Sequence, residues 1–362
     1  MDYHIEIRET EERKPRPRDE ELRFGEVFTD HMFIMRYAEG RGWHDAEVVP
    51  YGPLSLPPAA ACFHYGQTAF EGMKAYRTDD GRDLLFRPVD NARRLNVTAQ
   101  RLCMPRMDEE LFVRAVQTAV SVDRDWIPTA PETSLYIRPF VIATEENLAL
   151  KPSSSYFFVI IMSPVGPYYR RGIAPTRILV ETEHVRSVTG GVGAAKTGGN
   201  YARGLKAEVR AAADGYDQVL WLDGRERRYA EEVGTMNVFF RIDDVIITPP
   251  LRGTILPGIT RYSVLTLLSE WDVEVQEREI SLQEIAGAHR AGVLQEAFGT
   301  GTAAVISPMG RLSWDGTDMN INDGRTGELT ARLYETLTGI QRGRIEDRFG
   351  WTVEVPSRPR RT

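Results

Sequence analysis

The sequence predicts a two-domain protein of mixed class, α+β or α/β, in which helices cover sheets. The chain has 362 residues, which is long for one hydrophobic core, so two domains of ordinary size are expected. A helical apolar stripe runs through residues 108–127, and apolar strand patterns follow at 134–142 and 156–162. A stretch rich in proline and glycine, residues 164–176, comes next and is expected to join the two domains.

Domain boundaries follow from these signals. Residues 1–21 are dense in charges of both signs, so we expect a flexible, solvated arm and neither a secretory signal nor a transit peptide. A small domain at 22–163, the interdomain loop at 164–176 and a large domain at 177–355 follow. The basic end, residues 356–362, is expected to be a frayed tail.

The remaining elements are predicted from period and from boundary residues. In the first half, strands are expected at 28–37 and 84–87, and Asp90 or Asn91 is expected to cap the helix that follows. In the second half, Asp214-Gly215 ends a helix that begins near residue 202. The other expected strands are 177–183, 218–223, 236–242, 245–248, 274–279 and 293–298, and the other expected helices are 260–271 and 327–339.

Composition and charge exclude several classes of protein. The hydrophobic content of 42% and the charged content of 27% are typical of a globular chain. A net charge of -7 gives no general attraction to nucleic acid or to anionic lipid. No window approaches the roughly 18 apolar residues of a membrane span. Two cysteines, Cys62 and Cys103, are too few for a disulfide scaffold, so we expect a reducing, cytoplasmic location.

One glycine-rich stretch, residues 189–201, carries the sequence TGGVGAAKTGGNY, with Lys196 as its single charge. Glycine lets a backbone approach a ligand closely. Only five of the 45 Lys and Arg residues are lysine, and lysine, unlike arginine, can lose its proton and act as a nucleophile. A Schiff-base lysine and a solvated surface lysine are both consistent with this stretch. A Walker nucleotide loop is excluded because Ala195 stands where that pattern needs glycine.

A Schiff-base lysine would need an electron sink and groups that hold it, and pyridoxal phosphate is the usual sink in amino-acid chemistry. Glu232 lies in EEVGTMN, predicted as a short turn; at about 4 Å it would attract a protonated ring nitrogen by about 4 kcal/mol at an effective dielectric of 20. The residues 257–260, Pro-Gly-Ile-Thr, introduce a helix whose free N–H groups favour a phosphate. Further phosphate donors are offered by Arg94, Thr235 and Thr302. Taken singly, each of these motifs is ordinary.

Eight motifs nevertheless occur together between Phe24 and Ala303. In chain order they are FGEVFTDHM, FEGMKAY, FRPxxNxxR, LYIRP, KTGGNYA, EVGTMN, LPGITR and FGTGTA. In this set and order the chain resembles a branched-chain amino-acid aminotransferase, a pyridoxal-phosphate enzyme of the group often called fold type IV. The resemblance implies a small N-terminal α/β domain, a larger C-terminal domain with a pseudo-barrel, and a homodimer whose pocket borrows residues from the partner.

The resemblance also implies roles for individual residues. Lys196 would bind pyridoxal 5'-phosphate covalently and carry the proton at the substrate Cα, and no metal is expected. The other cofactor-binding residues would be Arg94, Tyr201, Glu232, Thr235, Ile259, Thr260 and Thr302. The substrate-binding residues would be Phe24, Tyr65, Phe70, Tyr136, Arg138, Tyr168, Thr302 and Ala303.

The implied reaction is a ping-pong transfer from leucine, isoleucine or valine to 2-oxoglutarate. The alternatives are a D-amino-acid or R-amine transaminase or an aminodeoxychorismate lyase of the same fold, and a non-catalytic protein that keeps the fold. Mammalian members carry a Cys-x-x-Cys pair after the GTA turn, where this chain has Ala304 and Ser307. A thiol switch is therefore not expected there.

Overall fold

The computed structural model describes residues 4–167 and 173–357. Contacts between Cα atoms divide this part of the chain into two compact units. The first unit contains residues 4–167, 196–198 and 339–357, and the second contains 173–195 and 199–338. Each unit is built on one nine-stranded sheet. No helix in the described ranges is long and apolar enough to cross a membrane.

Up to residue 167 the chain forms eight strands and three α-helices among its described residues. The strands are β1 (Ile5–Ile7), β2 (His31–Ala38), β3 (Gly42–Pro50), β4 (Thr68–Phe70), β5 (Met73–Arg77), β6 (Asp83–Phe86), β7 (Ser134–Ala143) and β8 (Ser155–Val165). The helices are α1 (Ala61–Tyr65), α2 (Pro88–Arg101) and α3 (Glu109–Val122), with short 3-10 turns at Asp19–Glu21 and Arg124–Trp126.

From residue 173 onwards the described chain forms ten strands and five α-helices. The strands are β9 (Thr176–Val180), β10 (Gln218–Leu222), β11 (Ala230–Val233), β12 (Met236–Ile242), β13 (Val245–Thr248), β14 (Val275–Glu277), β15 (Leu294–Gly301), β16 (Val305–Trp314), β17 (Thr317–Asn320) and β18 (Thr352–Glu354). The helices are α4 (Gly198–Ala202), α5 (Leu205–Ala213), α6 (Ile259–Glu270), α7 (Leu282–Arg290) and α8 (Glu328–Gln341), with a 3-10 turn at Asn322–Gly324.

In the first unit, the sheet has the order β1-β3-β2-β8-β7-β5-β6-β18, and β4 also pairs with β7. Helix α3 begins as predicted, because the Asp108 side chain caps it by accepting the Leu111 N–H at 2.9 Å. Its apolar stripe, which includes Phe112 and Val116, is buried in the same core as the sheet residues Phe33 and Phe158. Burial of this stripe explains why the helical period was so clear in the sequence.

In the second unit, six strands close into a ring. They follow the order β11-β10-β9-β16-β15-β12, and β11 pairs with β12 to complete the circuit. Closure leaves the barrel strands without a free edge. Buried Ile178, Leu220, Val238, Phe240 and Leu312 belong to one apolar core of this unit. The predicted mixed two-domain class and the pseudo-barrel implied by the resemblance are confirmed.

The N-terminal residues differ from the expected solvated arm. Strand β1 pairs in parallel with β3, and the Arg8 N–H donates to Val48 O at 2.9 Å. Further along, the Lys14 N–H donates to the Asp30 carboxylate at 2.9 Å. The dense charges of this segment therefore do not keep it free in solvent, because its backbone groups pair with the first sheet.

Two further boundaries also differ from the prediction. Helix α2 begins at Pro88, not after Asp90 or Asn91, because proline suits the first helical position and Arg87 adopts a left-handed φ of 52° before it. At the other end of the chain, residues 339–357 belong to the first unit and not to the expected large domain. Their strand β18 pairs with β6, Thr352 opposite Phe86.

Candidate active site

Lys196 is held through its backbone in the first unit. Its N–H donates to Thr98 Oγ1 at 3.0 Å, and its carbonyl accepts the Phe70 N–H at 3.0 Å. The side chain is half-buried, and its Nζ lies 4.7 Å from the centroid of the Phe70 ring. The amine therefore leaves a fixed backbone and passes over an aromatic face, which stabilises a cation.

A continuous row of predicted side chains extends from this ring. The Arg138 guanidinium lies 4.7 Å from the Phe70 centroid, and its Nη2 donates to Tyr136 Oη at 3.0 Å. The Tyr136 ring packs edge-on against Phe24, with centroids 4.8 Å apart. The structure thus brings together Lys196, to which the resemblance gave the catalytic role, and four of the implied substrate-binding residues: Phe24, Phe70, Tyr136 and Arg138.

This row depends on a glycine at position 72. A Cβ on Gly72 would lie 2.3 Å from Tyr136 Oη, which is closer than any real Cβ contact. The motif FEGMKAY therefore needs glycine where strand β5 approaches the Tyr136 hydroxyl.

Arg94 is buried on α2 and is not a surface arginine. Its Nε donates to Glu71 Oε1 at 2.8 Å and its Nη2 donates to Glu71 Oε2 at 2.7 Å. Glu71 is fully buried, so the pair is a two-pronged ion pair inside the first unit. Glu71 fixes the direction of the Arg94 guanidinium and was not among the predicted site residues.

Lys74 is a second residue that the sequence analysis did not single out. It lies opposite Tyr136 in the β5–β7 register and is buried. Burial, together with a smaller repulsion from Arg342, lowers the pKa of Lys74 to about 7. A lysine that is partly neutral at physiological pH therefore stands beside the aromatic row.

One predicted pocket residue, Tyr65, is not part of this row. Tyr65 is exposed, and its hydroxyl donates to the carbonyl of Leu148. Tyr168 lies outside the described residues.

In the second unit, Glu232 lies in strand β11 and is buried, whereas the sequence predicted a turn. Its Oε2 lies 2.6 Å from Arg186 Nη1, and Asn237 Nδ2 donates to its Oε1 at 3.4 Å. Arg186 is itself buried and also donates to the carbonyls of Thr254 at 2.9 Å and Gly193 at 3.2 Å. This arginine therefore fixes both the Glu232 carboxylate and the glycine-rich stretch.

The rest of the glycine-rich stretch within this unit is also tightly held. Asn200 Nδ2 donates to the carbonyls of Val192 and Ala195, each at 2.8 Å. A Cβ on Gly193 would lie 2.2 Å from Thr254 O. These contacts fix the backbone up to the residue before Lys196, so the glycine-rich stretch has an ordered conformation.

Helix α6 begins next to the Glu232 cluster. Asn237 Nδ2 donates to Leu256 O at 2.9 Å, two residues before the N-cap, Gly258. Within the described part of the chain no side chain caps this helix, and its first turn holds no acidic residue. The amides of Ile259 and Thr260 therefore lie at a helix terminus that favours an anion.

The remaining predicted residues of this unit lie in or near turns. Thr235 is exposed in the turn between β11 and β12, and Tyr201 is half-buried in α4. Thr302 and Ala303 are half-buried in the turn between β15 and β16. Because β12 runs antiparallel to both β11 and β15, the two turns lie at the same end of the barrel ring.

Four residues of these clusters were not identified from the sequence: Glu71, Lys74, Arg186 and Asn237. Three of them stand inside the quoted motifs FEGMKAY and EVGTMN, so a signal was present. Arg186 has no such signal, because it lies in no motif and its partner is remote in sequence.

Comparisons with known proteins show the family to which this chain is similar. A family model described as "Amino-transferase class IV" matches residues 68–312. The chain is 55% identical over 97% of its length to branched-chain-amino-acid aminotransferase 2 of Bacillus subtilis (strain 168), of which it covers 97%. It is 52% identical over 98% of its length to branched-chain-amino-acid transaminase 1 of the same strain, of which it covers all 100%.

Solved branched-chain aminotransferase structures are similar in fold to this chain. The branched-chain aminotransferase of the thermophilic archaeon Thermoproteus uzoniensis, solved with norvaline, superposes with a TM-score of 0.75 at 26% identity, covering 90% of this chain and 100% of that one. The T.th. branched-chain amino acid aminotransferase with pyridoxamine 5'-phosphate gives a TM-score of 0.75 at 27% identity, covering 90% of this chain and 98% of that one.

Proposed function

The chain belongs to the class IV aminotransferase family, and from this premise we propose that it transfers the amino group of branched-chain L-amino acids to 2-oxoglutarate. The products are the branched 2-oxo acid and L-glutamate. The family that the eight motifs indicated is confirmed. The names of the Bacillus subtilis relatives, at 52–55% identity, support leucine, isoleucine and valine as donors.

The observation that carries this proposal is the aromatic row of the first unit. Phe24, Phe70 and Tyr136 offer apolar surface, and the row ends at the amine of Lys196. An apolar wall beside a reactive amine suits a substrate whose side chain is hydrocarbon, because burial of each CH₂ group contributes about 0.8 kcal/mol. Arg138, within the same row, supplies a positive charge that suits a glutamate side chain.

The residues present fit pyridoxal 5'-phosphate. Glu232 is a buried carboxylate kept in place by Arg186 and suits a protonated ring nitrogen. The uncapped start of α6 suits a phosphate, and a Cβ on Gly258 would crowd Asn237 Oδ1 at 2.0 Å. When bound, pyridoxal phosphate supplies the electron sink and carries the amino group between the two halves of the reaction.

Each residue then has a defined task. With pyridoxal phosphate bound, the Lys196 amine would hold the cofactor and carry the proton at the substrate Cα. The Tyr201 hydroxyl would donate to the cofactor's phenolic oxygen, and the Glu232 carboxylate would hold the ring nitrogen. The phosphate would be held by Arg94, Thr235, Ile259, Thr260 and Thr302.

The substrate is held by a different set. Tyr65, after leaving its contact with Leu148, and the amides of Thr302 and Ala303 would bind the α-carboxylate. The substrate side chain would be lined by Phe24, Phe70 and Tyr136, and on family likeness by Tyr168. We also propose a homodimer whose pocket shares residues across its interface, and a cytoplasmic location, both on family likeness.

Borohydride reduction followed by peptide mapping tests the role of Lys196. The expected result is a pyridoxyl group on the peptide that contains Lys196, and loss of both label and activity in Lys196→Ala. Lys206→Ala is a matched control on a nearby exposed lysine and should keep both. A label on another lysine, or full activity in Lys196→Ala, would refute the proposal.

A panel of amino donors with 2-oxoglutarate tests the substrate class. Glutamate formation is expected with L-leucine, L-isoleucine and L-valine and not with D-alanine. Turnover of D-alanine or of an R-amine in place of L-leucine favours the related transaminases of the same fold. If the protein binds the cofactor but transfers no amino group to any 2-oxo acid, the result favours the non-catalytic alternative.

A further inference from the structure

The N-terminal arm, residues 5–22, is bound along its length to the first unit. After β1, the Thr10 N–H donates to His31 Nε2 at 3.0 Å, and Lys14 Nζ donates to Thr29 O at 2.8 Å. Near its end, Asp19 accepts the Ala130 N–H at 3.2 Å. The Leu22 carbonyl lies 3.2 Å from where a Cβ on Gly166 would stand, so the backbones are in close contact.

The central anchor of this arm is a fully buried histidine. His31 Nδ1 lies 2.7 Å from Asp123 Oδ1, and the His31 N–H donates to Asp123 Oδ2 at 2.8 Å. The Asp123 carboxylate accepts a hydrogen bond from Nδ1–H of His31, which leaves Nε2 as the acceptor that the Thr10 N–H requires. The tautomer of His31 that is protonated on Nδ1 therefore satisfies both the Asp123 and the Thr10 contacts. Arg13 Nη1, 3.7 Å from Asp123 Oδ1, supplies a positive charge near this carboxylate.

The arm continues directly into the loop that carries Phe24, residues 23–30. On one side, the loop follows Leu22, which ends the arm. On the other side, it ends at residues 28–30, whose carbonyl and carboxylate groups accept hydrogen bonds from Lys14. Phe24 is itself 43% exposed and makes its ring contact with Tyr136. Its position therefore depends on how the two ends of the loop are fixed.

We propose that His31 is a positioning residue for the substrate pocket. By accepting the Thr10 N–H, it fastens the N-terminal arm and so fixes the loop that places Phe24 against Tyr136. His31 touches neither substrate nor cofactor. The inference rests on the proposed function, because the consequence is measured on branched-chain donors.

Thr10→Pro tests this role because it removes the N–H that His31 accepts. Thr10→Ala is the matched control, since it keeps the N–H and removes only the hydroxyl that contacts Glu12. For Thr10→Pro we expect the KM for L-leucine to rise about fivefold, the change that corresponds to one neutral hydrogen bond. We also expect kcat to stay within about twofold and the preference for L-leucine over L-alanine to fall, while Thr10→Ala behaves like the wild type.

A second variant guards against a poorly folded proline mutant. A chain that lacks residues 1–10 also loses the donor, and it should reproduce the higher KM and the weaker leucine preference. Limited proteolysis of the full-length variants should cleave the arm faster in Thr10→Pro than in Thr10→Ala. Equal KM values and equal cleavage in both variants would overturn the inference. A wild-type protein that does not act on L-leucine would instead overturn the proposed function.

Discussion

Replacing Glu71 with alanine should destabilise the first unit by several kcal/mol. Glu71 is fully buried and receives two hydrogen bonds from Arg94, at 2.8 and 2.7 Å, while Arg94 is only 9% exposed. Removing the carboxylate leaves a guanidinium buried without this counter-charge, which costs about 3–5 kcal/mol of unfolding free energy. Glu71→Gln keeps one acceptor in place and should lose less, about 1.5–3 kcal/mol.

Urea unfolding of cofactor-free protein, followed by tryptophan fluorescence, measures this loss. The matched control is Glu109→Ala, because Glu109 pairs with the neighbouring Arg93 at 3.0 Å on an exposed surface and should contribute less than about 1 kcal/mol. Inorganic phosphate should restore part of the lost stability in Glu71→Ala, since an anion that binds only the folded state stabilises it. A loss below about 1 kcal/mol in Glu71→Ala, equal to that of the control, would refute the reasoning.

Three further variants probe the other clusters. Because the pKa of Lys74 is lowered to about 7, the unfolded chain binds more protons than the folded chain between about pH 7 and pH 10, so wild-type stability rises with pH in that range. Lys74→Met should flatten this rise, measured as urea midpoints against pH. An unchanged slope would contradict the prediction. Arg186→Met leaves Glu232 buried without this cation and should cost about 3–5 kcal/mol in urea unfolding, with Arg186→Lys losing less; equal losses would argue against the ion pair. Gly258→Ala would place a methyl group 2.0 Å from Asn237 Oδ1 and should weaken cofactor affinity at least about tenfold, measured by fluorescence titration. Unchanged affinity would show that the start of α6 does not bind the cofactor phosphate.

Elements with a strong local signal were predictable from the sequence. Strands β12 and β13 match their expected bounds, and α3 begins at Glu109, one residue after the start of the predicted helical stripe at residues 108–127. Helix α7 was not predicted, although its signal is present: Ser281 accepts the Glu284 N–H at 3.1 Å, the first half of a Ser-x-x-Glu capping pattern. The local sequence is therefore sufficient to indicate where this helix begins.

Other features could not be read from local sequence, because they depend on partners far along the chain. Strand β1 has three residues among charges and is stabilised by its pairing with β3. Glu232 was named from its motif, yet its burial and its contact with Arg186 arise only when β11 joins the barrel. Motifs thus identified residue types for the candidate site, whereas the ion pairs that orient them required the fold.

The pairing of β18 with β6 has a consequence for biosynthesis. The sheet of the first unit gains strand β18 only after the more than 260 residues between β6 and β18 have been synthesised, on the order of tens of seconds after β6 at typical elongation rates. Until then the nascent β6 presents unpaired backbone groups that can recruit other chains. Truncation of the chain before residue 352 would therefore damage the unit whose strands were synthesised first.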